Sequence, residues 1–204
     1  MSSEMSIGTA LPDDVLAGVE RMWQYKRFAV ALTYPDASFA VFFPELAPNP
    51  AQLVLDHDRL FRAREIWLYG TEHIAENEFQ RVQLLADIMG FYHAFGVTPG
   101  YDRPDALACE FEFMHYLIYK QLYALQSNTL LDAADKAAIC FDAQQKFFAE
   151  HLYPAAKKVA NALAAQSESA FYQHLARELL AFLEAEASRL AENTEGRGTV
   201  DASN

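Results

Sequence analysis

The stretch from Pro104 to about Gln126, PDALACEFEFMHYLIYKQLYALQ, is apolar on nearly every helical face, with Leu107, Phe111, Phe113, Met114, Leu117, Ile118 and Leu122 spread around it. A helix that is hydrophobic all round has to be enclosed by other elements. The rest of the chain must therefore wrap this one. Two glutamates, Glu110 and Glu112, lie inside the run. Burying a carboxylate is costly unless it is paired or hydrogen-bonded. Both are therefore satisfied by the structure around them or used by it.

The wrapping elements read as helices. Pro12, Asp13 and Asp14 suit a helix start, because proline fits the first turn and acids complement the positive end of the dipole. Leu16, Val19, Trp23 and Val30 then recur at helical spacing up to Tyr34-Pro35. Residues 36–50 carry three prolines and read as loop with a short turn, 50–64 as a helix, and 65–77 as a turn bearing exposed polar groups. The helical pattern resumes from Glu78 to Phe95, and Gly96 follows as a C-cap. After the loop 97–103 and the central helix, a helix over 132–150 turns Ala138, Phe141 and Phe148 inward and breaks at Pro154. Helices over 154–165 and 168–190 follow, the last with Tyr172, Leu175, Leu179, Phe182 and Leu183 as its stripe. The polar tail 192–204 reads as disordered. No alternating strand pattern and no repeat interrupts this series. The reading is an all-α, single-domain bundle of about seven or more helices over residues 1–191, with the tail appended.

Charge narrows the partners. Sixteen Lys and Arg stand against 28 Asp and Glu, a net charge of -12. Nucleic acid needs a basic footprint and is excluded as an expected partner. An acidic surface suits a cationic peptide or serves solubility alone. Cys109 and Cys140 have no CxxC partner, so neither a disulfide nor a zinc centre is expected and a reducing compartment is. The chain's own N-terminus shows no basic, apolar signal pattern, and no apolar run reaches membrane-spanning length.

Glu112 and His115 have the ExxH spacing that places both on one helix face. Di-iron bundles use that motif twice with two further glutamates, and no second copy occurs here. A buried Glu112 hydrogen-bonded to Tyr116, Tyr119 or a histidine is the plainer expectation. Glu72-His73 and Asp56-His57-Asp58 read as solvated charge, and His151 and His174 lack an acid or cysteine pattern. No nucleophile elbow, P-loop or dinucleotide fingerprint is present. No catalytic residue, metal ligand or cofactor is assigned. The loop 97–105, with Tyr101, Asp102, Arg103 and Asp105 between two core helices, is the better binding candidate. Asp102 or Asp105 is also placed to cap the next helix.

The run Phe91-Tyr92-His93-Ala94-Phe95-Gly96-Val97, the loop ending Arg103-Pro104-Asp105 and the following Glu110-Phe111-Glu112-Phe113-Met114 resemble the signature of TorD/DmsD/NarJ-type redox-enzyme maturation chaperones. Thr71-Glu72 and the stretch Phe79, Gln80, Gln83, Leu85, Ala86, Asp87, Ile88, Gly90 resemble the branch serving type II members of the dimethyl-sulfoxide-reductase family. Phe147-Phe148 with His151-Leu152, and Phe171-Tyr172, resemble that family's C-terminal helices. The chain departs from the pattern at Ala106, where the family often has histidine, and at Tyr153-Pro154, where it commonly has tryptophan.

The resemblance implies a TorD-like fold and a non-enzymatic cytoplasmic protein. Such a protein binds the apo catalytic subunit of a molybdoenzyme, with or without its twin-arginine leader, and assists molybdenum-cofactor insertion before export. On this reading Tyr69, Glu72, Tyr92, Phe95, Tyr101, Asp102, Pro104 and Asp105 form the client surface. Asp102 and Asp105 supply charge for client arginines, and Tyr92 and Phe95 supply apolar contact. Gly96, Glu110, Glu112 and His115 support the loop. The alternatives are a di-metal carboxylate oxidase on a helical bundle and an accessory subunit that stays on the mature enzyme. Whether the protein is a monomer or a dimer is left open.

Overall fold

The computed structural model describes residues 12–36, 39–46, 50–64, 66–100, 103–127 and 132–198, with side chains as far as Ala191. The architecture is all-α. Helix α1 (Asp13–Ala31) is followed by the single turn α2 (Phe39–Phe42), a 3-10 turn (Pro44–Leu46) and α3 (Pro50–Asp58), which runs into a π-helical turn (Arg59–Ala63). A one-turn helix α4 (Thr71–Ile74) precedes α5 (Glu78–Ala94) and the central α6 (Leu107–Gln126). Then come α7 (Ala133–Phe147), a second π-helical turn (Phe148–Leu152), α8 (Tyr153–Gln166) and α9 (Ala170–Gly198). Helix α6 is flanked by α1 and α7, and α8 packs on α9.

The expected wrapping of α6 holds for most of its length. Leu107, Phe111, Phe113, Met114, Leu117 and Ile118 are all buried. The helix emerges at its C-terminal end, where Tyr119, Tyr123 and Leu125 are exposed. Among the described residues no helix is long and apolar enough to cross a membrane.

Four local expectations are corrected. The inward face of α1 carries Tyr25, Phe28 and Ala29, while Leu16 and Trp23 are 42% and 53% exposed. The core face starts at Arg21, a polar residue that the hydrophobic pattern passed over. The segment 65–77 is not simply an exposed turn: Thr71 is fully buried, and Tyr69 forms an isolated antiparallel bridge with Ala106. Helix α6 begins at Leu107, after Pro104 and Asp105 rather than at them. Pro154 causes no break, because it falls in the first turn of α8 directly behind the second π-helical turn. There the proline's missing N–H is tolerated.

The end of α5 follows its sequence closely. Gly96 has φ +67, its N–H donates to His93 O, and Val97 N–H donates to Tyr92 O at 2.9 Å. This pair of bonds is the Schellman motif, and it turns the chain into the loop that leads to α6. At the other end of α5 the Asn77 side chain accepts the Gln80 N–H at 2.9 Å.

Candidate functional site

Arg103 ties the loop before α6 to the segment before α5. Its Nε and Nη2 donate to the two carboxylate oxygens of Asp105 at 2.9 and 2.7 Å. Its Nη1 donates to Glu72 at 2.8 Å and its Nη2 also reaches the Thr71 hydroxyl at 3.2 Å. The guanidinium carbon lies 4.2 Å from the centre of the Tyr69 ring, within cation–π range. Burial works against the Arg103 charge, but the bonds from Asp105 and Glu72 outweigh it and hold the group above its ordinary value.

Asp105 is fully buried. Its Oδ2 accepts the Thr71 N–H at 3.1 Å and the Thr71 hydroxyl at 2.5 Å. Its backbone carbonyl accepts the Gly70 N–H at 2.7 Å, and Leu107 N–H donates to Leu68 O. Asp105 therefore satisfies the start of α4, not of α6, which has no side-chain cap. Nor does it present charge to solvent, as the sequence reading had it. Glu72 is likewise paired, with Arg103 at 2.8 Å and Arg81 at 3.2 Å. Two carboxylates and two guanidiniums thus neutralise each other.

Tyr92 is the second correction to the expected surface. Its ring is wholly buried and lies edge-on to Phe113 with centroids 4.8 Å apart. Its hydroxyl donates to Pro104 O at 2.9 Å, and burial first, then neighbouring acidic groups, drives that hydroxyl well above its ordinary pKa. Tyr92 holds the loop from inside and also lines the cavity beneath Gly96–Gly100. Phe95, Tyr69, Glu72 and Pro104 are half-buried and reach the surface. Tyr101 and Asp102 lie outside the described residues.

The loop-supporting group divides in the same way. Glu112 pairs with Lys26 of α1 instead of a tyrosine, and His115 Nδ1–H donates to Met22 O at 2.9 Å. Both side chains of the ExxH pair are thus engaged by α1 and do not converge. Tyr116 donates instead to Phe95 O at 3.4 Å. Glu110 is fully buried, and neither of its oxygens has a hydrogen-bond partner among the described residues. Desolvation, with the Asp105 charge adding to it, holds its carboxyl well above the usual carboxylate range. It fills the space against Gly70, where a Cβ would stand 2.6 Å from Glu110 Oε1.

Two cavities flank this junction. One of about 350 Å³ is walled by Tyr34, Phe61, Trp67, Leu68 and Tyr69, with Arg103 at its side. The other, about 480 Å³, lies under Gly96–Gly100 and is walled by Cys109, Glu112, Phe113 and Tyr116. Both offer aromatic walls with a few polar groups, the make-up of a recognition pocket. Sequence reasoning named the loop but passed over Arg103 as its organiser, together with Thr71 and Arg81. The signal available was a buried-type Asp two residues after an Arg, with a hydroxyl residue following Tyr69-Gly70.

The chain matches known proteins. The profile of a family described as "Nitrate reductase delta subunit" matches residues 36–161, from the segment before α2 into α8. A curated relative, the "Perchlorate reductase assembly chaperone protein" of Dechloromonas aromatica (strain RCB), is 33% identical over 88 residues. That match covers 42% of this chain and 36% of the relative, so it spans little more than a third of the relative's length.

Proposed function

The chain belongs to the nitrate reductase delta subunit family, and from that premise we propose that it is an assembly chaperone for a molybdenum enzyme. It is a binding protein, not a catalyst. Its client is the apo catalytic subunit of a type II enzyme of the dimethyl-sulfoxide-reductase family, held in the cytoplasm until the molybdenum cofactor is inserted. The named relative, an assembly chaperone for perchlorate reductase, supports this reading. The single observation that carries it is the match of the family profile across the whole junction from Tyr69 to α6.

The client surface lies on the outer side of that junction, where Tyr69, Glu72, Phe95 and Pro104 are partly exposed beside the two cavities. A leader peptide combines a cationic part with an apolar part. The chain's net charge of -12 steers the first and the aromatic-walled cavities receive the second. Because Glu72 and Asp105 are already matched by arginines, attraction comes from the field of the whole surface rather than from these two carboxylates.

A pull-down from the native cytoplasm with mass spectrometry tests the proposal. The expected catch is a molybdoenzyme catalytic subunit with its leader intact, and Arg103→Ala, which unlatches the loop, should reduce the yield. Failure to recover any molybdoenzyme subunit from cells that express one would overturn the reading. The family description as a subunit favours one other outcome. A stable accessory role predicts co-purification with the mature, leader-cleaved enzyme.

A further inference from the structure

We propose that Asp87, Glu150 and His151 form a divalent-metal site that clamps α5 to the π-helical turn between α7 and α8. One ligand atom from each of these residues lies within 4.8 Å of the others. Asp87 projects from the middle of α5, while Glu150 and His151 are adjacent in the π-helical turn Phe148–Leu152. Such turns often occur at functional sites, and here the widened turn brings two successive side chains toward one helix.

Two observations separate this group from an ordinary acidic surface. Neither Asp87 nor Glu150 has a lysine or arginine ion pair among the described residues, so two neighbouring carboxylates share only His151. His151 itself is 1% exposed, packed edge-on against Phe91 with ring centroids 5.8 Å apart. Among the described residues its single polar contact is Nε2–H donating to Asp87 Oδ2 at 2.7 Å, and Nδ1 has no partner. The Nε2 edge of this buried imidazole thus faces the carboxylate of Asp87 at the cluster.

The geometry limits the ion. With metal–ligand bonds of about 2.1 Å, the 2.7 Å separation of Nε2 and Oδ2 subtends about 80° at the ion. That is nearer the right angle of an octahedral ion than the tetrahedral angle. One imidazole and two carboxylates, completed by water, suit Mn²⁺, Co²⁺ or five- to six-coordinate Zn²⁺. On binding, the ion replaces the Nε2 proton and Nδ1 carries the ring N–H instead. Nδ1 then lacks the acceptor that usually orients a metal-bound histidine, which weakens the site about 10- to 100-fold. The site is therefore exchangeable and not a permanent structural centre.

Untagged protein titrated with ZnCl₂ by calorimetry and with MnCl₂ by electron paramagnetic resonance tests the assignment, with MgCl₂ as control. The expected result is one saturable equivalent of Zn²⁺ and Mn²⁺, a raised melting midpoint, and weaker binding of Mg²⁺. Asp87→Asn and Glu150→Gln alter exposed side chains, leave the helical circular dichroism unchanged and should each weaken binding at least about tenfold. Absence of saturable binding overturns the proposal. So does binding that survives both substitutions at wild-type affinity.

Discussion

Glu110 shows how one buried side chain can set a pH response. An unpartnered carboxyl at 0% exposure costs less as the neutral acid than as the carboxylate. Its pKa is higher folded than unfolded, from burial first and Asp105 second. Across the window between those two values the folded state binds more protons, so this group's stabilisation is complete below the unfolded carboxylate range and is lost as pH rises. Denaturant midpoints of Glu110→Gln and wild type, measured from pH 4 to pH 8, should diverge in favour of the glutamine variant as pH rises. Parallel curves would show that Glu110 has a partner at neutral pH. The sequence marked this residue correctly as a costly carboxylate in an apolar helix. What it did not contain is the neighbour, because Gly70 and Asp105 approach only through the fold.

Among the elements, two glycines shape the junction for different reasons, Gly96 at the end of α5 and Gly70 at the start of α4. Gly96 has φ +67 and open space around its missing Cβ, so a side chain there costs only backbone strain, about 1–2 kcal/mol. Gly70 has ordinary helical angles and a side-chain oxygen 2.6 Å from where its Cβ would be. Overpacking of that kind costs about 1–3 kcal/mol. Thermal unfolding of Gly96→Ala and Gly70→Ala, each with and without Glu110→Ala, separates the causes. Glu110→Ala should recover part of the Gly70→Ala loss and none of the Gly96→Ala loss. The Gly96 C-cap was legible because helix periodicity stops there and glycine is the residue that tolerates the conformation. The role of Gly70 was not, since a close approach leaves no local pattern. For the same reason the capping expectation for Asp105 fails: besides the nearby Arg103, its carboxylate accepts from Thr71, 34 residues away.

At the scale of the molecule, a buried polar network joins four helices around the core. Arg21 of α1 donates to Glu186 of α9 at 2.5 Å and to Gln144 of α7 at 2.8 Å. The Tyr25 hydroxyl also donates to Glu186, and Gln144 reaches Gln121 of α6. Removing one member of a buried ion pair strands the other, at about 3–5 kcal/mol. Arg21→Ala and Glu186→Ala should each lose that much in urea unfolding, whereas the double variant Arg21→Met/Glu186→Leu should lose far less. Equal losses for single and double variants would contradict the pairing. Arg21 and Glu186 are 165 residues apart, and each reads in isolation as a solvated charge on an amphipathic helix. The all-α class, the placing of most helices and the central position of α6 followed from the sequence by itself. Periodicity and capping are local properties, set within a few residues by backbone geometry. Which charges are buried, that Arg103 is the latch of the candidate site and that Tyr92 holds the loop from inside were decided only by the tertiary structure. Pairing and burial depend on distances between residues that the chain itself keeps far apart.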